Sequence, residues 1–359
     1  MTRGTFVLPT GIGRRWDGAM PGAEIPPHMS AWVTSSTGDL RLVTMEVPRP
    51  TGHDVLLRVR ACGVCRTDLH VIDAEIPPHR SPLVPGHQIV GEVVDGGADA
   101  VRFRPGALVG VAWLGRTCGA CTWCLSGREN LCKSATFTGW DRDGGFAPYA
   151  VADERFSYAL PASTDAVATA PLLCAGIIGY RALSRTRLPA GGDLGIYGFG
   201  SSGHLTAAVA MASGARVFAM TRGEENRALA RAVGATFVGS EHERPPVPLD
   251  AAIVFAPAGE LVQDALAATA PGGTVVLAGI HMTDIPAMTY DDHLFRERDL
   301  RTVTANTRED GAAFLRLAEH LALRAHVTRY PFARTADAVD DLRAGRASGS
   351  LVIDMAVGE

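Results

Sequence analysis

Residues 193–220 read DLGIYGFGSSGHLTAAVAMASGARVFAM, and three patterns follow one another in this segment. Asp193–Tyr197 is a short apolar run typical of a buried strand, His204–Ala212 is an apolar helical run, and Arg216–Met220 is a second strand. The turn between the first strand and the helix is GFGSSG at 198–203. Glycines at this spacing allow a tight turn and let the backbone approach a pyrophosphate at the positive end of the helix. The segment therefore predicts a βαβ unit that binds a dinucleotide.

Strands and helices keep alternating after this unit, which is the pattern of a parallel α/β sheet. The later elements are predicted as helix Glu224–Val233 with Gly234 at its end, strand Ala251–Phe255, helix Glu260–Ala270 and strand Thr274–Gly279. We therefore assign residues 176–305 to a doubly wound parallel sheet of the Rossmann type. The residues predicted to bind the dinucleotide from the ends of these strands are Gly198, Gly200, Ser201, Ser202, Gly203, Gly279 and Ile280.

The end of the second strand indicates which dinucleotide is bound. An NAD site places Asp or Glu there to accept hydrogen bonds from the ribose hydroxyls, but this chain has Thr221-Arg222-Gly223. A hydroxyl followed by a guanidinium favours a 2′-phosphate, which a carboxylate would repel. We therefore predict that Thr221 and Arg222 bind the cofactor and that NADP(H) is preferred. In the alternative, Arg222 points to solvent, Glu224 or Glu225 accepts from the ribose, and NAD(H) is used.

A second informative segment, CGACTWCLSGRENLC at 118–132, holds four cysteines. Zinc in a closed structural site takes four soft ligands in a tetrahedron, and short spacers let one loop surround the ion. Disulfides are one alternative, but cysteines two residues apart would close strained rings. An iron–sulfur cluster is another, although here seven residues separate the last two cysteines and Lys133 follows, unlike the ferredoxin pattern. We predict a structural zinc site with the ligands Cys118, Cys121, Cys124 and Cys132.

Short strand-like runs dominate the chain before this loop, and glycine and proline separate them. These runs are Ala31–Val33, Leu40–Val47, Val55–Ala61, Ile89–Val94 and Ala107–Val111. Short strands at this spacing predict a mainly antiparallel, barrel-like β domain.

Three further candidate metal ligands lie far apart in the sequence. They occur in the short motifs CGVCRTDLH at 62–70, PGHQIVG at 85–91 and PLLCAG at 171–176. Taken singly, each is readily explained as a loop or core residue. Together, Cys65, His87 and Cys174 form a Cys2His set, which leaves the fourth tetrahedral position open as in catalytic zinc sites. We expect Asp68 to accept a hydrogen bond from the other ring nitrogen of His87.

Composition limits the classes of function. Apolar residues make up 47% of the 359 residues, and the formal charge of −4 offers no electrostatic case for nucleic acid or an anionic membrane. No apolar run is expected to reach the length of a bilayer span. Residues 1–29 lack the continuous apolar core of a secretory signal, so we predict a poorly ordered N-terminal extension. The missing signal and the ligand-like cysteines predict a cytoplasmic protein.

The order of the motifs adds a resemblance. CGVCRTDLH, PGH, the four-cysteine loop, the Cys174 segment and the GFGSSG turn follow one another as in the zinc-containing medium-chain alcohol dehydrogenases, which the chain resembles from about residue 30 to its end. The resemblance implies a GroES-like catalytic domain formed discontinuously by residues 30–175 and 306–359. It also implies an active site in the cleft between this domain and the Rossmann domain.

The resemblance assigns roles to residues of the first motif. It implies that Cys65, and not Cys62, is the metal ligand, so Cys62 is expected to be a small buried residue at the end of a strand. Thr67 is implied as the hydroxyl that touches the substrate oxygen, and His70 as the outer member of a proton relay. Arg66 lies where the family contacts the cofactor pyrophosphate. Without the resemblance, Arg66 would be interpreted as a solvated cation and His70 as a surface imidazole.

The chain departs from the family at Gln88, where the family usually has Glu behind the metal. A neutral amide leaves the zinc site one unit more positive, and we expect this to tune the metal-bound water without abolishing activity. Trp113 and Trp140 lie on either side of the four-cysteine loop. Each is expected either to line an apolar substrate cleft or to belong to the core.

The resemblance implies an enzyme that holds two zinc ions per chain and transfers hydride reversibly between a nicotinamide cofactor and a primary alcohol or aldehyde, and the Thr221-Arg222 argument makes that cofactor NADP(H). An NAD-dependent or polyol-type member of the same family is the alternative, and polyol-type members often replace the third ligand with Glu. Two other classes are a zinc-free quinone or enone reductase, which would lack the Cys2His set, and a non-catalytic zinc-lobe interaction protein, which the GFGSSG turn and Arg66 disfavour. No nucleic acid or membrane partner is expected. A homo-oligomer, dimer or tetramer, is expected by resemblance only.

Overall fold

The structure is a computed structural model that describes residues 25–35, 38–346 and 348–356. Its strands are β1 (His28–Thr34), β2 (Leu40–Glu46), β3 (Asp54–Val64), β4 (Gln88–Gly96), β5 (Leu108–Val111), β6 (Leu114–Arg116), β7 (Thr136–Phe137), β8 (Tyr149–Asp153), β9 (Ser157–Ala159), β10 (Asp193–Tyr197), β11 (Arg216–Met220), β12 (Phe237–Gly239), β13 (Leu249–Val254), β14 (Thr269–Leu277), β15 (Asp299–Thr302), β16 (Val327–Pro331) and β17 (Ser350–Asp354). Its helices are α1 (Arg66–Ile72), α2 (Thr122–Leu125), α3 (Ala166–Thr169), α4 (Ala175–Thr186), α5 (Ser201–Ala212), α6 (Glu224–Val233), α7 (Glu260–Ala268), α8 (Tyr290–His293), α9 (Arg308–His320) and α10 (Thr335–Arg343).

The predicted N-terminal extension, 1–29, lies outside the described residues up to residue 24. Its last two residues, His28 and Met29, begin β1, which pairs with β2 in an antiparallel ribbon. The first strand therefore starts before the predicted globular part.

A mainly antiparallel sheet forms the first half of the fold. Its strand order is β16-β17-β3-β4-β5-β9, and β8 also pairs with β3. Alternate side chains of these strands fill one apolar core, in which Val55, Leu57 and Ile353 are fully buried. Because β17 pairs antiparallel with β3, the C-terminal segment returns to the same sheet as the N-terminal strands. Strands from 30–175 and from 306–359 therefore share one sheet.

The second half is a parallel six-stranded sheet in the order β12-β11-β10-β13-β14-β15. All five residues of β10 are buried, since apolar side chains cover both faces of the sheet. One face packs on α5 and α6 through residues such as Ala207 and Leu229. The other face packs on α7 through Leu261 and Leu266. The mainly antiparallel domain and this doubly wound sheet confirm the predicted fold class.

The boundary between α7 and β14 lies earlier in the chain than the prediction placed it. The helix predicted as Glu260–Ala270 ends at Ala268, and the strand predicted to begin at Thr274 begins at Thr269. The reason is pairing, because Thr269 lies opposite Leu249 in the neighbouring strand β13. A local hydrophobic pattern does not contain that partner, so it places the boundary late.

The expectation that no apolar run is long enough for a bilayer is wrong for one segment. Ala166–Thr186 spans 21 residues at a mean hydropathy of 1.5, which meets both the length and the composition of a membrane span. In the fold this segment is α3, a 3-10 turn at Ala170–Leu173 and α4. In the folded protein, 61% of the most apolar window of this segment is buried. Buried core helices meet the same criteria of length and composition.

Candidate active site

Cys65, His87 and Cys174 come together although 109 positions separate the first from the last in the sequence. Cys65 follows β3, His87 precedes β4, and Cys174 precedes α4, so strand pairing and helix packing set their positions. The Nε2 atom of His87 lies 3.5 Å from Sγ of Cys65 and 3.2 Å from Sγ of Cys174. The three ligand atoms all lie within 4.8 Å of one another. Their spacing fits one zinc ion with an open fourth position.

Asp68 orients this ligand set from behind. Its carboxylate accepts hydrogen bonds from Nδ1 of His87 at 3.1 Å and from the backbone N–H groups of Cys65 and Gly86 at 2.8 and 3.2 Å. Only 1% of Asp68 is exposed. Because Nδ1–H donates to Asp68, Nε2 is the free acceptor and points to the two sulfurs. The predicted hydrogen bond between Asp68 and His87 is therefore present.

The two thiols of the set share a proton. Cys174 donates to the sulfur of Cys65, and this hydrogen bond lowers the pKa of Cys65 well below that of an ordinary thiol. The same interaction raises the pKa of Cys174. Thiolate sulfur and imidazole nitrogen are the donor types that zinc prefers as ligands. The donor chemistry thus agrees with the spacing.

Cys62 and Gln88 lie on the strands next to the ligands. Cys62 is fully buried at the end of β3, as expected for a packing residue. Gln88 begins β4 with 2% of its surface exposed, and its side chain packs against Gly63, where an added Cβ would lie 2.6 Å from Oε1. A neutral side chain therefore occupies this buried position near His87.

The four cysteines at 118–132 form a second cluster, whose sulfurs all lie within 4.8 Å of one another. The Sγ atom of Cys118 lies 3.5 Å from Sγ of Cys132 and 3.9 Å from Sγ of Cys124, and Sγ of Cys121 lies 3.6 Å from Sγ of Cys124. These separations exceed the roughly 2 Å of a disulfide bond. Backbone N–H groups of Ala120 and Cys121 lower the pKa of Cys118 to about 6. The cluster fits a tetrahedral zinc site closed by four protein ligands.

This four-cysteine lobe is attached to the junction between the two domains. The carboxylate of Glu129 accepts bidentate hydrogen bonds from the guanidinium of Arg308, with Oε1 3.0 Å from Nε and Oε2 2.6 Å from Nη2. The side-chain amide of Asn130 donates to the carbonyl of Thr304 at 2.8 Å. Thr304 also lines the main cleft, so the lobe holds one wall of the cleft in place.

A cleft of about 910 Å³ lies between the two domains, and it joins the predicted metal and nucleotide residues. The predicted residues that line it are Cys65, Arg66, Thr67, His70, Cys174, Gly198, Gly200, Ser201, Ser202, Gly203, Thr221, Arg222, Gly279 and Ile280. Residues predicted from separate motifs thus share one cavity.

His70 is buried and not a surface imidazole, since only 5% of it is exposed. Its Nδ1 faces the carboxylate of Glu75 in an ion-pair contact. Its ring lies 5.1 Å from the ring of His281, which belongs to the nucleotide domain. The carboxylate of Glu75 is 47% exposed, so the His70–Glu75 pair links the cleft to solvent.

The glycine turn is held from both domains. The hydroxyl of Ser201 lies 2.6 Å from the hydroxyl of Ser350 on β17. The hydroxyl of Thr221 accepts from the N–H of Phe199 at 3.1 Å, and 2% of Thr221 is exposed. The hydroxyl predicted to meet the 2′-phosphate therefore also holds the glycine turn, and its contact with the phosphate stays a prediction.

The charged residues at the end of β11 have definite partners. Arg222 lies at the cleft, with Nε 3.0 Å from Oε2 of Glu241. Glu224 forms ion pairs with Arg227 and Arg231 at 3.0 and 2.6 Å. Glu225 lines the cleft. Of the two carboxylates in the NAD(H) alternative, only Glu225 therefore reaches the cavity.

Aromatic rings form one wall of the cleft beside the metal ligands. The ring of Trp113 lies 6.2 Å from that of His87, 4.6 Å from that of Phe137 and 6.1 Å from that of Trp140. The indole N–H of Trp140 donates to the carbonyl of Pro77 at 2.9 Å, which fixes its orientation. Trp113 and Trp140 therefore line the cleft, and the sequence left this choice open.

Four residues of the site were not identified from the sequence: Glu75, Phe137, Glu241 and His281. Glu241 lies two residues past the end of β12. It therefore lies just past the carboxyl end of a parallel strand, as Arg222 does, which is where nucleotides bind in such sheets. His281 directly follows the predicted Ile280. No sequence pattern signals Glu75 or Phe137, because tertiary packing alone places Phe137 in the cleft and Glu75 against His70.

Comparisons with known proteins agree with the fold and the site. The family described as "Alcohol dehydrogenase GroES-like domain" matches residues 51–162, and the family described as "Zinc-binding dehydrogenase" matches residues 203–320. The chain is 49% identical over 335 residues to the "Probable alcohol dehydrogenase AdhA" of Mycobacterium tuberculosis, covering 90% of this chain and 97% of that protein.

Two solved structures show the same architecture. A cinnamyl alcohol dehydrogenase of Sorghum bicolor superposes with a TM-score of 0.83 at 27% identity, covering 92% of this chain and 99% of that one. Acetophenone reductase of Geotrichum candidum, in complex with NAD, superposes with a TM-score of 0.84 at 27% identity, covering 92% and 98%. Motifs, fold and relatives agree, and the chain belongs to the zinc-containing medium-chain alcohol dehydrogenase family, whose members act on small-molecule alcohols or aldehydes.

Proposed function

We propose that this enzyme transfers hydride reversibly between NADP(H) and a primary alcohol or aldehyde, with two zinc ions per chain. One observation carries the proposal: Cys65 and Cys174 line the same cleft as the glycine turn at 198–203. A substrate beside the metal ligands therefore lies next to the nucleotide. The four cysteines at 118–132 hold the second, structural zinc ion.

The residues of the cleft have separate roles in the proposed reaction. When bound, zinc supplies a Lewis acid for the substrate oxygen, and the nicotinamide supplies or accepts the hydride. Cys65, His87 and Cys174 hold the metal, and Asp68 fixes the imidazole tautomer. Thr67 lines the cleft with Cys65, and its hydroxyl relays one proton by accepting that of the alcohol while donating its own onward.

His70 is the next group in the proton path. Its Nδ1 contacts Glu75, whose carboxylate reaches solvent, so a proton can leave the closed cleft by this route. A positioned imidazole is the usual general acid or base near neutral pH.

Arg222 supports the preference for NADP(H). Its guanidinium lies at the end of β11, and planar guanidinium groups bind phosphate oxygens bidentately. The acetophenone reductase of similar fold carries NAD, so both cofactors need to be compared directly.

The aromatic wall supports a ring-bearing substrate within the primary alcohol or aldehyde class. Trp113, Phe137 and Trp140 offer flat apolar faces beside the metal ligands. Aromatic pairs add about 0.5–1.5 kcal/mol beyond the burial of apolar surface. We therefore propose aryl aldehydes over short aliphatic ones.

We also propose a homo-oligomer in the cytoplasm. β15 is an edge strand of the parallel sheet, and the exposed apolar side chains of Tyr290, Phe295 and Leu300 lie on or near it in the sequence. Unpaired sheet edges and apolar surface favour association with a second copy. Seven unbridged cysteines support a reducing compartment. Light scattering of the purified protein tests the oligomeric state.

Metal content together with turnover tests the central proposal. Wild type is expected to hold two zinc ions per chain, and Cys174→Ser to hold one and lose turnover. The matched control is Cys62→Ala, a buried thiol outside the ligand set, which keeps both ions. Two ions in Cys174→Ser, or wild type that reduces no aldehyde with NADPH or NADH, would overturn the catalytic assignment.

A further inference from the structure

Arg222 and Glu241 meet at the edge of the parallel sheet where nucleotides bind. Arg222 follows β11, and Glu241 follows β12, the neighbouring strand in parallel register. Carboxyl ends of parallel strands lie at the same edge of a sheet, so both side chains emerge side by side. Nε of Arg222 lies 3.0 Å from Oε2 of Glu241, and both residues line the cleft.

Both members of this ion pair can change partner. The side chain of Arg222 is 72% exposed and that of Glu241 is 29% exposed. An exposed ion pair is weak, because water and salt screen it. A phosphate offers the guanidinium two oxygens and more charge than one carboxylate does, so it can displace Glu241.

Glu241 also introduces the charge that a 2′-phosphate site normally avoids. A carboxylate paired with the arginine neutralises the charge that would bind a 2′-phosphate. A 2′-hydroxyl carries no charge, so the ion pair does not oppose its binding. The carboxylate thus acts against NADP(H) and leaves NAD(H) unaffected.

We propose that Glu241 is a specificity-determining residue that limits the preference for NADP(H) by holding Arg222 in an ion pair. The inference rests on the proposed function, since it assumes that Arg222 is the group that binds the 2′-phosphate. Glu241 competes with the 2′-phosphate for the guanidinium, and NAD(H) binds without disturbing the pair. The enzyme therefore discriminates between the two cofactors less than Arg222 alone would allow.

Equilibrium binding of two nucleotide fragments tests this without any catalytic step. Calorimetry compares 2′,5′-ADP, which carries the 2′-phosphate, with 5′-AMP, which lacks it. In Glu241→Gln we expect 2′,5′-ADP to bind up to about fivefold more tightly, because the competing ion pair is exposed and such pairs contribute at most about 1 kcal/mol. Binding of 5′-AMP stays within about twofold of wild type.

Glu224→Gln is the matched control. It removes the same charge from the same end of the sheet, but Glu224 pairs with Arg227 and Arg231 and does not line the cleft. Its affinity for 2′,5′-ADP stays close to that of wild type. An equal gain in Glu224→Gln would overturn the proposal, because general charge would then explain the effect.

A second background separates the ion pair from direct repulsion. In Arg222→Met, the further change Glu241→Gln is expected to alter 2′,5′-ADP binding by less than about twofold, since the partner of Glu241 is gone. An equal gain in both backgrounds would overturn the ion-pair role. A loss of 5′-AMP affinity in Glu241→Gln would also overturn it, because Glu241 would then be an acceptor for ribose hydroxyls.

The same variants distinguish this inference from the proposed function. If Arg222→Met binds 2′,5′-ADP as tightly as wild type does, the assignment of Arg222 to the 2′-phosphate fails. If Arg222→Met binds it weakly and Glu241→Gln binds it as wild type does, only the role of Glu241 fails. Retained 5′-AMP binding in each variant shows that the site is folded.

Discussion

The carboxylate of Asp68 lies 3.1 Å from Nδ1 of His87, and both residues are buried at the base of the cleft. The carboxylate also accepts the backbone N–H groups of Cys65 and Gly86, so one side chain fixes the positions of two metal ligands. Burial raises the pKa of Asp68, while its contact with His87 opposes that rise. Asp68 is therefore a positioning residue for the catalytic metal site.

Asp68→Asn is expected to weaken metal binding at the Cys65, His87 and Cys174 site by about 10- to 100-fold. The asparagine amide has the same shape but offers one acceptor oxygen where the carboxylate offers two. Its NH2 group faces N–H donors, from which it cannot accept a hydrogen bond. The four-cysteine site does not contact Asp68 and keeps its zinc. Chelator titration followed by metal analysis measures both sites in one sample.

The control for Asp68→Asn is Asp73→Asn, which removes an exposed partner of Arg343 from the end of the same helix. It is expected to keep both metal ions at wild-type affinity. Equal zinc affinity in Asp68→Asn and wild type would show that Asp68 does not position the ligands.

Two glycines of the 198–203 turn are expected to respond differently to an added methyl group. A Cβ at Gly203 would lie 2.6 Å from the carbonyl oxygen of Gly198, whereas a Cβ at Gly200 meets no atom within 4 Å. Gly203→Ala therefore forces helix and turn apart and costs about 1–3 kcal/mol of stability. Gly200→Ala keeps the thermal midpoint but places a methyl group in the nucleotide cleft, which weakens NADPH binding about tenfold or more.

Differential scanning calorimetry and NADPH fluorescence separate the two effects. A lowered midpoint in Gly200→Ala, or unchanged NADPH affinity in that variant, would contradict the placement of the nucleotide against this turn.

His204 is expected to make the protein sensitive to mild acid. Its Nδ1–H donates to the carbonyl of Gly200 at 3.0 Å, and its Nε2 accepts the N–H of His326 at 3.2 Å, so the neutral ring uses both nitrogens. Burial lowers the pKa of His204 to about 4. In the unfolded chain the pKa of this histidine is near 6.5. Between about pH 6.5 and 4 the ring is therefore protonated in the unfolded chain but stays neutral in the folded protein.

Stability is therefore lost as the pH falls through this window, by about 1.4 kcal/mol per pH unit and about 3 kcal/mol in total. His204→Gln lacks this proton uptake. Its thermal midpoint should be lower than that of wild type at pH 7.5 but should fall less on going to pH 5. Parallel pH dependence in the two proteins would refute the assignment, and the histidine resonances of wild type measure the pKa directly.

Trp140→Ala is expected to raise the KM for an aryl aldehyde such as benzaldehyde about tenfold, because it removes an aromatic face worth on the order of 1–2 kcal/mol. The KM for acetaldehyde should change less than about twofold, since a two-carbon substrate does not reach that face. Trp140→Phe keeps a ring at the same place and should restore most of the loss. Equal effects on both aldehydes would assign Trp140 to the core and not to substrate binding.

The local patterns in the sequence predicted the elements of the site well. The strand, glycine turn and helix at 193–212 are present, with β10 at the predicted place and α5 beginning at Ser201, three residues before the predicted start. The cysteines at 118–132 form one cluster because their spacing alone keeps them on one loop. These features depend on contacts between residues close in the chain, and such contacts leave a signal in the sequence.

Other features depend on partners that are distant in the chain. The hydroxyl of Thr221 holds the glycine turn because it accepts from the N–H of Phe199, which follows the neighbouring strand β10. Glu241 contacts Arg222 only because β12 lies beside β11 in a fixed register. No local pattern contains this register, so the sequence could not show which carboxylate would face the guanidinium.

The sequence by itself predicted the fold class, the four-cysteine cluster and the nucleotide turn, because local spacing and side-chain chemistry specify them. The tertiary structure alone decided that the Trp113 and Trp140 rings line the cleft, that His70 is buried against Glu75, and that Glu241 pairs with Arg222. The physical reason is that ligand type and turn geometry are local properties. Burial and pairing across strands and domains arise only when the whole chain packs.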